Sequence, residues 1–266
     1  MNKKNLNLQN IDIAYLDSER NTEKCILFIH GNSLNANTFH NQFSDPQLNQ
    51  YRLIAIDLPG HGDSAPATLT EQTYSVLNYA EMIVAFVNEL NLKNVILVGH
   101  SLGGHIAIEA SEQIKNCIGL VIFGTPPIGI PPAMGDMFLP NPAINYAYSG
   151  ELSEEEAKTL ATAFAAKEFE LEKSILSTDP NARVYLGASI GQGKFKDELA
   201  ICTAAKFPVA IFHGEGDALI NLNYLNDLSF PIWKNRVQII SDSTHCPQLE
   251  NHNYFNTILI EFIESL

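Results

Sequence analysis

Basic residues are scarce in this chain and never cluster. Lys and Arg number 16 against 30 Asp and Glu, for a formal charge of −14, and the longest basic run is Lys3-Lys4. A protein that grips a duplex or an anionic membrane surface carries a basic patch to neutralise phosphates. Neither nucleic acid nor a membrane is therefore an expected partner. The acidic balance favours solubility and carries no information about fold.

Long apolar runs are missing too. No segment approaches the ~20 consecutive apolar residues that a bilayer-spanning helix needs. Lys3 and Lys4 are followed by no apolar stretch, so an ordinary secretory leader is not expected. Cysteine is sparse: Cys25, Cys117, Cys202 and Cys246 lie far apart, with no CxxC pair and no zinc spacing. They are expected to be reduced thiols in a cytoplasmic protein. Internal repeats and low-complexity tracts are also lacking.

What the sequence does have is enough apolar material, 45% of 266 residues, to bury a sizeable core. Much of it falls in short, wholly apolar runs: Cys25–Ile29, Leu53–Ile56, Val95–Val98, Leu120–Phe123 and Val209–Phe212. Such runs suit strands buried on both faces of a parallel sheet. Each ends in a Gly, Pro or Asp cluster that can turn the chain. Val237–Ile240 reads as a further strand. The first ~20 residues alternate (Leu6, Leu8, Ile11, Ile13, Tyr15), as an antiparallel edge hairpin would.

Helical patterns lie between the strands. Over Tyr74–Leu90 the expected apolar stripe is Leu77, Ala80, Val84 and Val87. Near the C-terminus it is Tyr254, Ile258 and Phe262. Strands alternating with helices predict an α/β fold, a mostly parallel doubly wound sheet with helices on both faces. One stretch breaks the alternation. It opens with a Pro- and Gly-rich segment and continues through Ser153-Glu-Glu-Glu156, a capping box. We read 126–206 as an inserted helical cap, and 1–125 with 207–266 as the core domain.

The chemistry concentrates in three loops. Gly99-His-Ser-Leu-Gly-Gly104 follows the Val95–Val98 strand and opens a helix. This is the pattern of a nucleophile elbow, a strained turn that lifts the hydroxyl of Ser101 above the sheet. A serine needs a base. Of eight histidines, His245 in Ser243-Thr-His-Cys-Pro247 follows the last strand and completes the chain order serine, acid, histidine. His252 competes with it, but stands at an expected helix start. Asp217, in the loop after Val209–Phe212, is the candidate acid, ahead of Glu215 and Asp242. His30-Gly-Asn-Ser33 follows the first buried strand. The backbone N–H groups of Asn32 and Leu102 are the expected oxyanion hole, and His30 is expected to brace that loop.

Other motifs carry less chemistry. The Gly-rich turn Asp57–Ser64 has no P-loop lysine, and His61 with Asp63 lacks the partners of a metal site. It is expected to be structural. Cys246 beside His245 is expected to be a small buried side chain rather than a nucleophile.

Taken together, His30-Gly31, Asp57-Leu-Pro-Gly-His-Gly62, Gly99–Gly104, Asp217 and His245 resemble the α/β-hydrolase family along essentially the whole chain. Within it the sequence looks most like the N-acyl-homoserine lactone lactonases of that fold. The shared stretches are His30-Gly-Asn-Ser33, Ser101-Leu-Gly-Gly-His-Ile106 and Gly124-Thr-Pro-Pro127. The resemblance implies lactone opening by a serine triad, with a small acyl ester or lactone as substrate and neither a metal nor another cofactor. That branch tends to carry Trp around the nucleophile and Glu as the acid, where this chain has Gly-His-Ser-Leu and Asp217. Bulk beside the serine shapes the acyl pocket, so a general carboxylesterase or thioesterase fits the same residues. A non-catalytic ligand receptor on the same fold is the reading from a different class. Phe138, Tyr146, Phe164 and Phe169 either line an acyl-chain pocket or simply pack the cap.

Overall fold

A computed structural model describes residues 2–165 and 170–266. Eight strands form one sheet: β1 (Asn2–Leu8), β2 (Ile11–Asp17), β3 (Cys25–Ile29), β4 (Arg52–Ile56), β5 (Val95–His100), β6 (Cys117–Phe123), β7 (Val209–Gly214) and β8 (Gln238–Ile240). Their spatial order is β1-β2-β4-β3-β5-β6-β7-β8. The β1–β2 hairpin pairs antiparallel, as the alternation at the N-terminus predicts, and β2 runs antiparallel to β4. From β4 onward all neighbours are parallel, so β3 and β5 lie side by side with Ile29 opposite Gly99. That register brings the loop after β3 beside the loop after β5. Apolar runs such as Cys25–Ile29 are buried throughout, because helices cover both faces of the sheet.

Four helices precede β6: α1 (His40–Ser44), α2 (Thr70–Thr73), α3 (Val76–Glu89) and α4 (Leu102–Ser111). Among the described residues, five lie between β6 and β7: α5 (Met134–Met137), α6 (Glu154–Phe164), α7 (Leu171–Ser177), α8 (Pro180–Gly191) and α9 (Glu198–Ala204). The last three are α10 (Leu222–Asn226), α11 (Pro247–Glu250) and α12 (His252–Glu264). One core layer joins the α3 and α4 side of the sheet to the segment between β6 and β7. The other packs α12 and the Ala36–Phe39 turn against the opposite face.

Helix α3 buries Val76, Tyr79, Ala80, Met82, Ile83, Phe86 and Val87. The expected stripe of Leu77, Ala80, Val84 and Val87 is thus displaced toward the aromatic side, and Leu77 and Val84 are only partly buried. Tyr79 and Phe86 offer the larger apolar areas, and burying them decides the rotation of the helix. In α12 the stripe moves by one residue at its start: Phe255 is fully buried while Tyr254 is 45% exposed.

Between β6 and β7 no strand occurs among the described residues. The capping box at Ser153 forms, with Ser153 accepting from the Glu156 N–H and Glu156 accepting from the Ser153 N–H. Buried Arg183 ties the segment together, donating to the carbonyls of Ser149, Gly150 and Ile175. Polar links to the sheet side add to the shared apolar core. Tyr74 donates to Asp179 at 2.5 Å, Asp179 N–H to the Gly60 carbonyl at 2.8 Å, and Asn35 to Ser174 at 2.8 Å. No helix among the described residues is long and apolar enough to cross a membrane.

Candidate active site

Ser101 caps the N-terminus of α4 with φ 51° and ψ −117°. Few non-glycine residues adopt a positive φ, and holding one there costs of order 1–3 kcal/mol. The surroundings enforce it. The Ser101 N–H donates to the Phe123 carbonyl at 2.9 Å, and the Thr125 hydroxyl donates to the Ser101 carbonyl at 2.8 Å. Helix α4 approaches β3 closely enough that a Cβ on Gly103 would sit 2.1 Å from the Ile29 carbonyl oxygen. Backbone cannot step aside as a flexible side chain can. Gly103→Ala is therefore expected to cost about 3 kcal/mol or more, read as a melting temperature lowered by roughly 10 °C. An unchanged thermal midpoint would refute the close approach.

The structure brings Ser101, His245, Asn32 and Leu102 to one cavity. His245 is 2% exposed, and its Nδ1 lies 2.9 Å from Oδ2 of Asp217. An ionised carboxylate only accepts, so Nδ1 is the donor, and in the neutral ring Nε2 is the nitrogen with the lone pair. The other Asp217 oxygen accepts from the N–H groups of Leu219 and Ile220. Burial works to raise the Asp217 pKa, but the neighbouring His245, its hydrogen bond and the Leu219 N–H outweigh it and hold the carboxyl below its ordinary value. Glu215 and Asp242, the rival acids, are both exposed. His252 begins α12.

Asp217 aside, the sequence did not assign to any residue the part of holding His245 in place. His100, directly before Ser101, is fully buried and donates from Nε2 to the His245 carbonyl at 2.8 Å. Burial, with His245 alongside, pushes the His100 imidazole down to about 3. It is therefore neutral at physiological pH and serves as a brace. Thr244 donates through N–H and hydroxyl to Glu250. Phe164 of α6 stacks over the His245 ring with centroids 5.7 Å apart. Gly124, at φ 59°, lets the ring pack close to the backbone, since a Cβ there would lie 2.7 Å from it. The motif order around each residue was readable; the contacts across 145 residues between His100 and His245 were not.

On the oxyanion side, Leu102 is the first residue of α4. The first N–H groups of a helix have no intrahelical acceptor and carry the positive end of its dipole. The loop after β3 turns at Ser33, φ 59°, and is braced from below. His30 donates from Nδ1 to the Gly31 carbonyl and accepts the Leu58 N–H at Nε2. Asp57 accepts from the Ala36 and Asp63 N–H groups, so the Asp57–Ser64 turn supports this loop. The Asn32 side chain links the loop to the segment above, its Nδ2 donating to the Ala147 carbonyl at 2.6 Å.

The cavity wall is mostly apolar, including Val76, Leu102, Ile128, Phe138, Phe164, Leu186, Ile190 and Leu219. Of the aromatics expected there, Phe138 and Phe164 line it. Tyr146 does not, and Tyr148, two residues on, takes that place. The 3₁₀ turn over Pro142–Tyr148 has three residues per turn, so Ile144 and Ala147 share the face that lines the site and Tyr146 falls off it. Phe169 lies outside the described residues. The interior holds about 60 Å³ of room for the centres of water-sized groups. At roughly 10–15 Å³ each, that accommodates about four to six such groups. Cys246 is fully buried, and burial raises its thiol well above the ordinary value, so it is not poised as a thiolate nucleophile.

Comparison with known proteins agrees with this architecture. A family model described as the alpha/beta hydrolase fold matches residues 24–252. AB hydrolase superfamily protein YisY of Bacillus subtilis is 24% identical over 262 residues, covering 90% of this chain and 91% of its own. N-acyl homoserine lactonase AidH, solved with N-butanoyl homoserine, superposes with a TM-score of 0.94 at 29% identity, over 99% of this chain and 96% of its own. The esterase RhEst1 from Rhodococcus sp. ECU1013 superposes at 0.81 over the full length of both chains, and at 22% identity it speaks for the fold alone.

Proposed function

Because the chain belongs to the alpha/beta hydrolase fold family, we propose that it is a serine hydrolase that cleaves a carboxylic ester or lactone of a small acyl substrate, with acyl-homoserine lactones the foremost candidates. We read residues 126–206 as the cap that closes the site, set into a core of 1–125 and 207–266. The single observation that supports this most is the His245–Asp217 bond of 2.9 Å on the wall of a cavity shared with a serine held at φ 51°.

In the proposed reaction, Ser101 Oγ attacks the acyl carbonyl carbon, and its proton passes to Nε2 of His245. Asp217 holds the ring in that tautomer and stabilises the imidazolium. The oxyanion is received by the N–H groups of Asn32 and Leu102, each able to supply about 3 kcal/mol. The C–O bond to the leaving group then breaks, and the leaving oxygen takes the proton from His245. Water, deprotonated by His245, attacks the acyl-enzyme and frees Ser101 and the acid. In a lactone the leaving hydroxyl stays tethered to the acyl group, so ring opening uses the same steps.

The lactone reading is favoured by the AidH superposition, and the small cavity favours a short acyl chain. A panel of N-butanoyl and longer acyl-homoserine lactones, p-nitrophenyl butanoate and a short acyl thioester tests it. Ring opening of the butanoyl lactone is expected, with rates falling as the chain lengthens. Fast ester turnover with no lactone opening would instead mark a general carboxylesterase.

A further inference from the structure

We infer that His105, held by Glu198, is a specificity-determining residue of this same site, and that it binds an uncharged hydrogen-bonding substituent on the acyl group close to the scissile carbonyl. This rests on the serine-hydrolase reading above.

His105 stands one turn beyond Ser101 on α4 and lines the same cavity. Its Nδ1 lies 2.9 and 3.0 Å from the two carboxyl oxygens of Glu198. Glu198, on α9, is fully buried and anchored before it meets the histidine. Its Oε2 accepts from the Ile128 N–H at 2.8 Å, and its own N–H donates to the Ile128 carbonyl at 2.8 Å. A fixed carboxylate thus orients a second imidazole by Nδ1, as Asp217 orients His245. Ser101 shares its cavity with the histidines of both histidine–carboxylate pairs.

The free nitrogen is the telling feature. Nε2 of His105 makes no hydrogen bond among the described residues, yet it is not sealed in the interior as His100 Nδ1 and His61 Nε2 are. The cavity that His105 lines is also walled by Ile128, Leu186 and Ile190. Two of the cavity's other polar side chains are engaged: Asn32 donates to Ala147 and His245 to Asp217. A plain alkyl chain laid against Nε2 would strip it of water and return nothing, whereas an oxygen or nitrogen there would pair with it. Glu198 stands behind the ring, and Glu109 is buried one turn further along α4 with one carboxyl oxygen unpartnered. Burial pushes the Glu109 carboxyl up to about 7, so the repulsion comes from Glu198, which disfavours an anionic substituent and leaves hydroxyl, keto or amide groups. His105 follows Ser101 by one turn of α4, ~5 Å of rise, so the proposed substituent is one close to the carbonyl carbon.

The test compares kcat/KM for methyl butanoate and for each enantiomer of methyl 3-hydroxybutanoate, by titration of the acid released. The wild-type protein is expected to prefer one hydroxy ester by about tenfold or more. In His105→Leu that ratio is expected to fall to about one, through a larger loss on the hydroxy ester. His105→Gln, which keeps a hydrogen-bonding end, is expected to restore part of it. A merely structural His105 would lower both rates together and leave the ratio alone. A wild-type ratio near one, or a ratio unchanged in a folded His105→Leu protein, overturns the assignment. Should the leucine variant not fold, the wild-type ratio and the glutamine variant decide. If Ser101→Ala still hydrolyses both esters, the serine reading fails and this inference falls with it. Loss of activity in Ser101→Ala with an unmoved His105→Leu ratio refutes His105 alone.

Discussion

Ser101→Ala is expected to lower kcat for ester hydrolysis on the order of 10⁵-fold, because removing the nucleophile disables the other members of a triad acting as one unit. The same change should leave stability nearly untouched. Alanine keeps the Cβ at φ 51° and loses only the hydroxyl. Ser101→Gly is expected to go further and raise stability by about 1 kcal/mol, since glycine meets no penalty in that backbone region. Initial rates together with urea melts of the three proteins separate the two effects. A serine that was only structural would show the opposite pattern, with activity kept and stability lost.

Asp217→Asn is expected to lower kcat by about 10³–10⁴-fold. An amide can still sit beside Nδ1 of His245, but it can offer an N–H there and so favour the tautomer whose Nε2 is protonated and cannot take the Ser101 proton. The change also removes a pH-dependent share of stability. The folded carboxyl lies below its ordinary value of 3.8. Its contribution is therefore fully present above about that pH and is lost as pH falls through the lower, folded value. Wild-type and Asp217→Asn stabilities should differ most at neutral pH and converge in acid. Urea midpoints between pH 3 and pH 7 read this directly, and a gap that widened toward pH 3 would contradict it.

The reach of the sequence differed between backbone and site. Runs such as Val95–Val98 and the alternating Leu6–Tyr15 stretch mark their strands because burial on two faces or one leaves a local imprint. The elbow was legible for the same reason: glycines and serine sit within six consecutive residues, from Gly99 to Gly104. The faces of α3 and α12 were less so, since Tyr79 over Leu77 and Phe255 over Tyr254 are settled by which side chain fills the sheet surface. Least visible were pairings between distant segments. Glu198 is 93 residues from His105, and the Ala147 carbonyl is 115 from Asn32. Neither has a spacing rule, because the topology alone brings them together. Asp217 over Glu215 was a matter of loop position, which the structure expresses as one buried carboxylate and one exposed.

The hydroxyl of residue 101 as attacking group is most directly examined by chemical capture. Treated with an alkyl fluorophosphonate and digested, the protein should give one phosphonyl group per chain, on the peptide holding Ser101, with hydrolysis lost in proportion to labelling. His245→Ala should slow that capture by orders of magnitude. Sustained ester turnover with no adduct on that peptide would contradict the account.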